Sequence, residues 1–226
     1  EVKSWTRDEL RLVVDTAHEL GIPVQGHCRG ASSVIDCCAA GMDLVLHGTL
    51  MDDKALDALV ETKTPVMPVF AFQANLADYG AAIGADPTVR ERFRREIADS
   101  AAMLRRAYDA GVPLLAGSES GFSITPYGDW HYRELEVYVR DLGLTPLQAI
   151  QCATQTNAIA LRLPAGTAIR LRADMAELID DLQSAIPSIF ESEDYRNRRQ
   201  VIDEVDQLQR DAQGGGGGHV FHAIRG

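Results

Sequence analysis

Apolar and polar positions along the chain switch between helical and strand-like periods. The first helical stretch has apolar residues three or four positions apart: Leu10, Val13, Val14, Ala17 and Leu20. Thr6 and Glu9 precede it in a capping-box pattern, and Gly21 follows it as a stop signal. The pattern therefore predicts a helix that ends at Gly21.

Strand-like apolar runs then alternate with helical stretches. The predicted strands are residues 23–26, 43–46, 65–69 and 112–116. The predicted helices between and after them cover about 31–40, Asp52–Glu61, a long stretch from Asp86 and Pro87 to near Gly111, and a last helix from Thr145, Pro146 and Gln148 through about Leu161. Residues 70–85 are predicted to be a loop.

Four strands alternating with helices predict parallel βαβ units with right-handed connections. A closed eight-stranded barrel needs about 200 residues or more, and four strands supply only half of its units. We therefore expect an α/β fold that forms half of a (β/α)8 barrel. A small doubly wound sheet fits the same strand count.

A unit of helix end, glycine, strand and functional residue occurs three times. The copies read HELG-IPVQG-His27, CAAG-MDLVL-His47 and YDAG-VPLLAGS-Glu119. The offset from Gly21 to His27 equals the offset from Gly41 to His47, as repeated helix, turn and strand units would produce. Because parallel α/β folds place their chemistry at the carboxyl ends of the strands, the three residues are expected to converge there.

Two imidazoles and a carboxylate are typical ligands of a zinc site that leaves a position for water. A metal ion lowers the pKa of that water, and a neighbouring carboxylate can accept its proton. Glu119 is therefore the candidate general base as well as a candidate ligand. The alternative is that each histidine is a hydrogen-bonded structural residue and that Glu119 is a solvated loop acid.

Composition limits the classes of partner. The chain has 226 residues, of which 46% are apolar, so it can bury a core of one or two domains. A net charge of −11 argues against nucleic acid or an anionic membrane as the main partner. The spacing of the four cysteines fits reduced thiols of a cytoplasmic protein, and no apolar run approaches the length of about 20 residues that a membrane span needs. The chain opens at Glu1 without a methionine, which we interpret as missing upstream residues.

Three runs carry a family resemblance: VQGHCRGASSVIDCCAAGMDLVLHGTLMDDKALDALVETKTPVMPVF, AGVPLLAGSESGF and LTPLQAIQCATQTNAIALRL. Residues 1–162 resemble the second half of the amidohydrolase superfamily, in the branch of imidazolonepropionases and metal-dependent prolidases. The resemblance implies a (β/α)8 metallo-hydrolase barrel with one or two divalent metal ions, most commonly zinc. It also implies that water activated by the metal hydrolyses a C–N bond in a small amide, cyclic amide or dipeptide.

The resemblance assigns roles to individual residues. His27 and His47 match the family's metal-ligating histidines at the ends of strands five and six, and Glu119 stands where the family has a metal-binding aspartate that takes the proton from water. Glutamate reaches one methylene further than aspartate, so the geometry of the site differs. Arg29 and His131 lie where loops would contact the substrate, whereas Cys28 is expected to face away from His27 and His18 to be a surface or packing residue.

Other parts of the family's ligand set have no counterpart in this sequence. The first-strand His-x-His pair and the lysine of the fourth strand would lie before residue 1. An enzyme would therefore need these ligands from upstream sequence or from another chain. We expect half a barrel to self-associate through its unpaired edges.

The character of the sequence changes after Leu163. Residues 163–210 resemble the N-terminal helical region of Lon-related ATP-dependent proteases, through the pattern from LPAG to FESEDYR. The sequence thus predicts a partial barrel at 1–162, a helical segment at 163–213 and a glycine-rich tail at 214–226. The alternative to an enzyme is a non-catalytic interaction module, or a fusion fragment, whose C-terminal helices bind protein.

Overall fold

The computed structural model describes residues 3–122, 124–127 and 130–163. This part of the chain is a mixed α/β structure with a parallel sheet. The strands are β1 (Gln25–Gly30), β2 (Leu44–Leu50) and β3 (Val66–Met67). The α-helices are α1 (Arg7–Glu19), α2 (Ala31–Ala40), α3 (Asp53–Thr62), α4 (Ala71–Tyr79), α5 (Pro87–Asp109), α6 (His131–Arg140), α7 (Pro146–Gln151) and α8 (Asn157–Ala160). A 3-10 turn at Gly80–Ile83 extends α4, and a π-helical turn at Cys152–Thr156 joins α7 to α8.

The sheet has the strand order β1-β2-β3, and both pairs are parallel. Beyond β3, Leu114 forms a single parallel bridge with Val66, and backbone bonds join Val66 N–H to Pro113 O at 3.0 Å and Leu115 N–H to Val66 O at 2.9 Å. The predicted strand at 112–116 therefore lies beside β3, but its pairing is limited to this short stretch. The parallel arrangement was predicted from the alternation of helices and strands.

Local capping signals explain where several helices begin. The side chain of Thr6 accepts from the Glu9 N–H while Glu9 bonds back to Thr6, so the capping box at the start of α1 is confirmed. Asp52 caps α3 and Asp86 caps α5, where Pro87 occupies the first turn. Thr145 and Gln148 form a second capping box ahead of α7. Each of these side chains satisfies a backbone N–H that the helix itself leaves unpaired.

The predicted loop at 70–85 is wrong, since α4 and the 3-10 turn occupy most of it. This helix carries no polar stripe, because Gln73 and Asn75 are buried together with its alanines. Gln73 Nε2 donates to Glu96 Oε1 at 2.8 Å and Asn75 Nδ2 donates to Ile124 O at 2.8 Å. Polar residues that are buried inside the protein hide the 3.6-residue period. Helix α6 was also not predicted.

The predicted strand ends differ from the observed ones near the histidines. His27 and His47 lie within β1 and β2 rather than just after them. The register is regular up to the pair Cys28 and His47, and it becomes irregular before Gly30 pairs with Leu50. The histidines therefore stand where regular pairing ends, and both strands continue for three residues beyond them.

The hydrophobic core lies between the sheet and helices α1, α2, α3 and α5. Its fully buried members include Val34, Val45, Leu59 and Leu104. The four cysteines are free thiols, as the sequence predicted, and all four are buried. None of the described helices has both the length and the apolar character to span a membrane. The predictions for the helical segment and the glycine-rich tail lie outside the described residues.

Candidate metal centre

Three side chains from different elements meet at one end of the sheet. Potential ligand atoms of His27, His47 and Glu119 all lie within 4.8 Å of one another. The ring centroids of His27 and His47 are 4.4 Å apart, and His47 Nε2 is 3.7 Å from Glu119 Oε2. The convergence expected from the repeated unit is present in the structure.

His47 is held in one orientation by the turn that follows β3. It is buried, and its Nδ1 lies 3.2 Å from the carbonyl oxygen of Pro68. Because a carbonyl oxygen can only accept, this bond requires a proton on Nδ1, and the neutral ring then carries its lone pair on Nε2. Burial, followed by the neighbouring charge of His27, lowers the pKa of His47 and favours this neutral ring.

His27 is exposed at the same end of β1. The next residue, Cys28, points to the opposite face of the strand and is buried with its Sγ 3.6 Å from Cys37 Sγ. This alternation follows from the two-residue period of a strand. Cys28 therefore lies away from the three ligand candidates, as expected.

The backbone is strained at three positions around the site. His47, Val69 and Glu119 have φ angles of 72°, 60° and 46°, in the left-handed region that favours glycine. Each costs on the order of 1–3 kcal/mol and persists only where the surrounding structure enforces it. Such strain concentrates at functional sites, so it favours a functional role over a purely structural histidine pair.

The segment before Glu119 is fixed by two side chains. Asn157 accepts from Ala116 N–H at 3.1 Å and donates to Ala116 O at 2.8 Å, as a neighbouring strand would. Ser118 Oγ lies 2.6 Å from His131 Nδ1, at the start of α6. Glu119 therefore extends from a segment that is anchored one and three residues earlier.

The donor set fits a divalent metal ion of the zinc type. Two imidazoles and one carboxylate are common zinc ligands. The bond from His47 Nδ1 to Pro68 O leaves Nε2 free to coordinate, which is the usual arrangement behind a metal-bound histidine.

The structure places Arg29 in an ion pair. Its guanidinium contacts Glu96 of α5, and its Nε lies 3.4 Å from Thr49 Oγ1. Glu96 also accepts from Gln73 Nε2 at 2.8 Å. Arg29 follows the β1 histidine by two residues, but much of its charge is already balanced by Glu96.

The two remaining histidines of the described chain occupy different surroundings. His131 is exposed and bonds Ser118, the residue before Glu119, so it contacts the segment that carries a ligand candidate. His18 Nε2 lies 2.8 Å from Asp43 Oδ2, on the surface beside α1. His18 is thus a surface residue, which is one of the two placements that the sequence left open.

Sequence reasoning missed the groups that support the site. The Pro68 carbonyl is a backbone atom, so no residue type signals its role. Glu134 of α6 is fully buried and accepts backbone N–H groups next to Pro68, and Asn157 pairs with Ala116. Only the presence of a charged or amide side chain within an apolar helix face could have marked these two residues.

A groove of about 310 Å³ lies away from this site. Its lining includes Val24 and Gln25 at the start of β1, Leu44 at the start of β2, and Leu161 after α8. The groove therefore opens where the strands begin, whereas the three ligand candidates lie towards the carboxyl ends of the strands. Asp43 and Arg162 are among the groove's lining residues, but the cluster of His27, His47 and Glu119 lies outside it.

The chain is similar in sequence to a known protein family and to individual proteins. A sequence model described as "Amidohydrolase family" matches residues 1–202. An uncharacterized protein of Mycobacterium tuberculosis (strain ATCC 25618 / H37Rv) is 30% identical over 120 residues, which cover 53% of this chain and 32% of that protein. The chain thus spans about a third of the length of the curated relatives it matches.

Solved structures resemble the described fold. A Xaa-Pro dipeptidase with methionine bound in its active site has a TM-score of 0.61 and 26% identity, over 79% of this chain and 46% of that chain. A prolidase in complex with N-methylphosphonate-L-proline has a TM-score of 0.60 and 22% identity, over 75% of this chain and 40% of that chain. In each case the similarity covers less than half of the larger protein.

Proposed function

The chain belongs to the amidohydrolase family, and from this premise we propose that it is the metal-binding part of a hydrolase that cleaves C–N bonds in small amides, cyclic amides or dipeptides. The observation that carries the proposal is the meeting of His27, His47 and Glu119 within 4.8 Å at one end of a parallel sheet. The strained backbone at His47 and Glu119 supports it.

We propose that His27 and His47 hold a divalent metal ion, zinc in the first instance, together with Glu119. When bound, such an ion lowers the pKa of water and polarises the carbonyl group that is attacked. The family site takes one or two ions, and the donor set present here fits one. The buried, neutral ring of His47 presents its Nε2 lone pair on the side that faces Glu119.

Glu119 would accept the proton of the attacking water. Its carboxylate is 38% exposed, so solvent and substrate can reach it, and it lies 3.7 Å from His47 Nε2. Its role as a ligand competes with its role as a base, because a lone pair given to a metal ion is less available to a proton. The extra methylene of glutamate, relative to the family's aspartate, places the carboxyl oxygens further from the backbone than those of aspartate would be.

The substrate is proposed from the neighbours and from the surrounding charges. One similar structure is a Xaa-Pro dipeptidase and another is a prolidase, which supports a dipeptide. Arg29 and His131 are the proposed substrate-binding residues, since both lie beside segments that carry ligand candidates. A dipeptide carboxylate would compete with Glu96 for the guanidinium of Arg29.

The test is metal-dependent turnover in matched histidine variants. In the protein that carries this chain within its native reading frame, zinc-dependent hydrolysis of an Xaa-Pro dipeptide should be lost in His27→Ala. His18→Ala is the control, because it removes a surface histidine that pairs with Asp43 away from the site. Equal turnover of the two variants would refute the assignment of His27.

The 226-residue chain by itself should show little or no turnover, even with zinc or manganese added. It lacks the family's His-x-His pair and lysine, and fewer protein ligands hold a metal ion more loosely. The measurement is product formation from a panel of dipeptides. Robust turnover that is lost in His27→Ala and His47→Ala would contradict this expectation and indicate a site completed in another way.

We also propose that the four βα units form the carboxyl-terminal part of a (β/α)8 barrel in a cytoplasmic protein. Within the described residues, one side of β1 has no neighbouring strand, and apolar Ile22 and Leu50 nearby are 53% and 54% exposed. Open edges and exposed apolar side chains favour association. Light scattering should therefore give a mass above that of one chain, and a stable monomer at high concentration would contradict the proposal.

A further inference from the structure

The turn after β3, residues 68–71, is hydrogen-bonded by His47 and by Glu134, which are far apart in sequence. On one side, the carbonyl of Pro68 bonds His47 Nδ1 at 3.2 Å. On the other, Glu134 accepts Phe70 N–H at 2.9 Å and Ala71 N–H at 2.8 Å, one on each carboxyl oxygen. The turn is buried, so neither set of backbone groups has water as an alternative partner.

The peptide geometry couples these two sides. The described chain contains no cis peptide bonds, and in a trans peptide the C=O and N–H point in opposite directions. The carbonyl of Pro68 faces His47, and the Val69 N–H of the same peptide interacts with Glu134. The positive φ of Val69 then turns the next two N–H groups towards the same carboxyl group. A carboxyl group at this place therefore sets the direction of the Pro68 carbonyl.

Glu134 takes the place of a missing helix cap. Phe70 is the N-cap of α4, and its side chain makes no capping bond. A carboxyl group at a helix N-terminus accepts hydrogen bonds from N–H groups that the helix leaves unpaired. Here that group comes from α6, over 60 residues further along the chain.

Helix α6 also contacts the segment that carries Glu119. Tyr138 lies one turn after Glu134, and its hydroxyl donates to Leu115 O at 2.5 Å. His131, at the start of the helix, bonds Ser118. One helix thus braces both the turn behind His47 and the segment that leads to Glu119.

We propose that Glu134 is a positioning residue for the metal centre, which keeps the turn at 68–71 in the shape that holds the His47 ring with Nε2 towards His27 and Glu119. The inference rests on the proposed function, since it assumes that Nε2 of His47 binds metal. The hydrogen bonds from Phe70 and Ala71 to Glu134 involve none of the three ligand candidates. It acts through the Pro68 carbonyl and the His47 ring.

The experiment reads the His47 ring directly, without metal and without turnover. Long-range proton–nitrogen NMR of the full 226-residue chain, labelled with 15N-histidine, reports which ring nitrogen carries the proton, and His47→Ala identifies the signal. In the wild type we expect the proton on Nδ1. In Glu134→Gln one acceptor oxygen becomes an NH2 group that cannot accept a backbone N–H, so His47 should show a mixture of tautomers.

Two variants in the same helix separate positioning from general stability. Glu136→Gln makes the same chemical change, but Glu136 pairs with Arg133 and Arg140 rather than with the turn. Val137→Ala removes two fully buried methyl groups and should lower stability while keeping the carboxyl group of Glu134. Both should keep the wild-type tautomer of His47.

Zinc affinity, measured by titration calorimetry, is the second readout. We expect a loss of about 10–100-fold in Glu134→Gln, the range seen when a group behind a metal ligand is removed. Glu136→Gln and Val137→Ala should stay within about 2-fold of the wild type, because their metal ligands keep their supports. If Glu134→Gln does not fold, Glu134→Asp keeps both oxygens but withdraws them by one methylene, and it should show a smaller change in the same direction.

The outcomes are distinct. A wild-type chain with the proton on Nε2 of His47, or a Glu134 variant that keeps both the tautomer and the zinc affinity, would overturn the inference. An equal change in Val137→Ala would also overturn it, since the effect would then follow stability alone. A wild-type chain that binds no zinc, while the tautomer still depends on Glu134, would uphold the positioning and overturn the proposed metal site.

Discussion

Replacement of His47 by alanine is expected to weaken zinc binding by the 226-residue chain by more than about 100-fold. Loss of a group behind a ligand already costs about 10–100-fold, and His47 is a proposed ligand itself. It is also the most firmly held of the three, because its ring is buried and bonded to the Pro68 carbonyl. Equilibrium dialysis or calorimetry at constant pH measures the change.

His18→Ala is the matched control for this prediction. It removes the same side chain from a surface pair with Asp43, so it should leave zinc affinity unchanged. A second comparison is Glu119→Gln, which keeps the size of the side chain but removes the charge. If His47→Ala and His18→Ala bind zinc equally, the ion does not use the site formed by His27, His47 and Glu119.

The helices that begin with a local signal were predictable from sequence. Thr6 with Glu9 and Thr145 with Gln148 form capping boxes, and Asp86 with Pro87 starts α5, as their spacing indicated. These interactions span only a few residues, so they depend little on the rest of the fold. The predicted loop at 70–85 failed for the opposite reason. Helix α4 begins with a cap from Glu134, a contact that no local pattern contains.

The convergence of the site was predictable because it follows from topology. Equal offsets from Gly21 to His27 and from Gly41 to His47 place both rings at similar heights on adjacent parallel strands, and the structure brings Glu119 beside them. The orientation of the rings was not predictable. It depends on the Pro68 carbonyl, on the positive φ angles of His47 and Val69, and on a buried carboxyl group from another helix.

The strained backbone at Val69 and the hydrogen bonds to Glu134 occur in the same turn. A β-branched residue such as Val69 avoids the left-handed region of φ, so the turn needs support from residues outside it to keep its shape. The bonds to Glu134 supply it, and the Pro68 carbonyl transmits the geometry to His47.

Glu134 should also make the free energy of unfolding depend on pH. Burial raises the pKa of its carboxyl group from 4.5 to about 8, while the N–H groups of Phe70, Ala71 and Val69 lower it. Between these two values the unfolded chain releases the proton and the folded chain keeps it, so rising pH favours unfolding. The free energy of unfolding of the wild type, minus that of Glu134→Gln, should fall by up to about 1.4 kcal/mol per pH unit in this window.

The stabilising contribution of the neutral carboxyl group is thus complete below pH 4.5 and lost as the pH rises to about 8. The difference between the two proteins is needed because His47 acts in the other direction. Its pKa is lowered by burial, so its contribution to stability grows as the pH rises towards its ordinary value of 6.5 and is constant above it, where the comparison reports Glu134 alone. Urea unfolding at several pH values between 4.5 and about 8 gives the comparison. A constant difference across this range would mean that the three backbone N–H groups keep Glu134 ionised in the folded chain, and that the helix N-terminus outweighs burial.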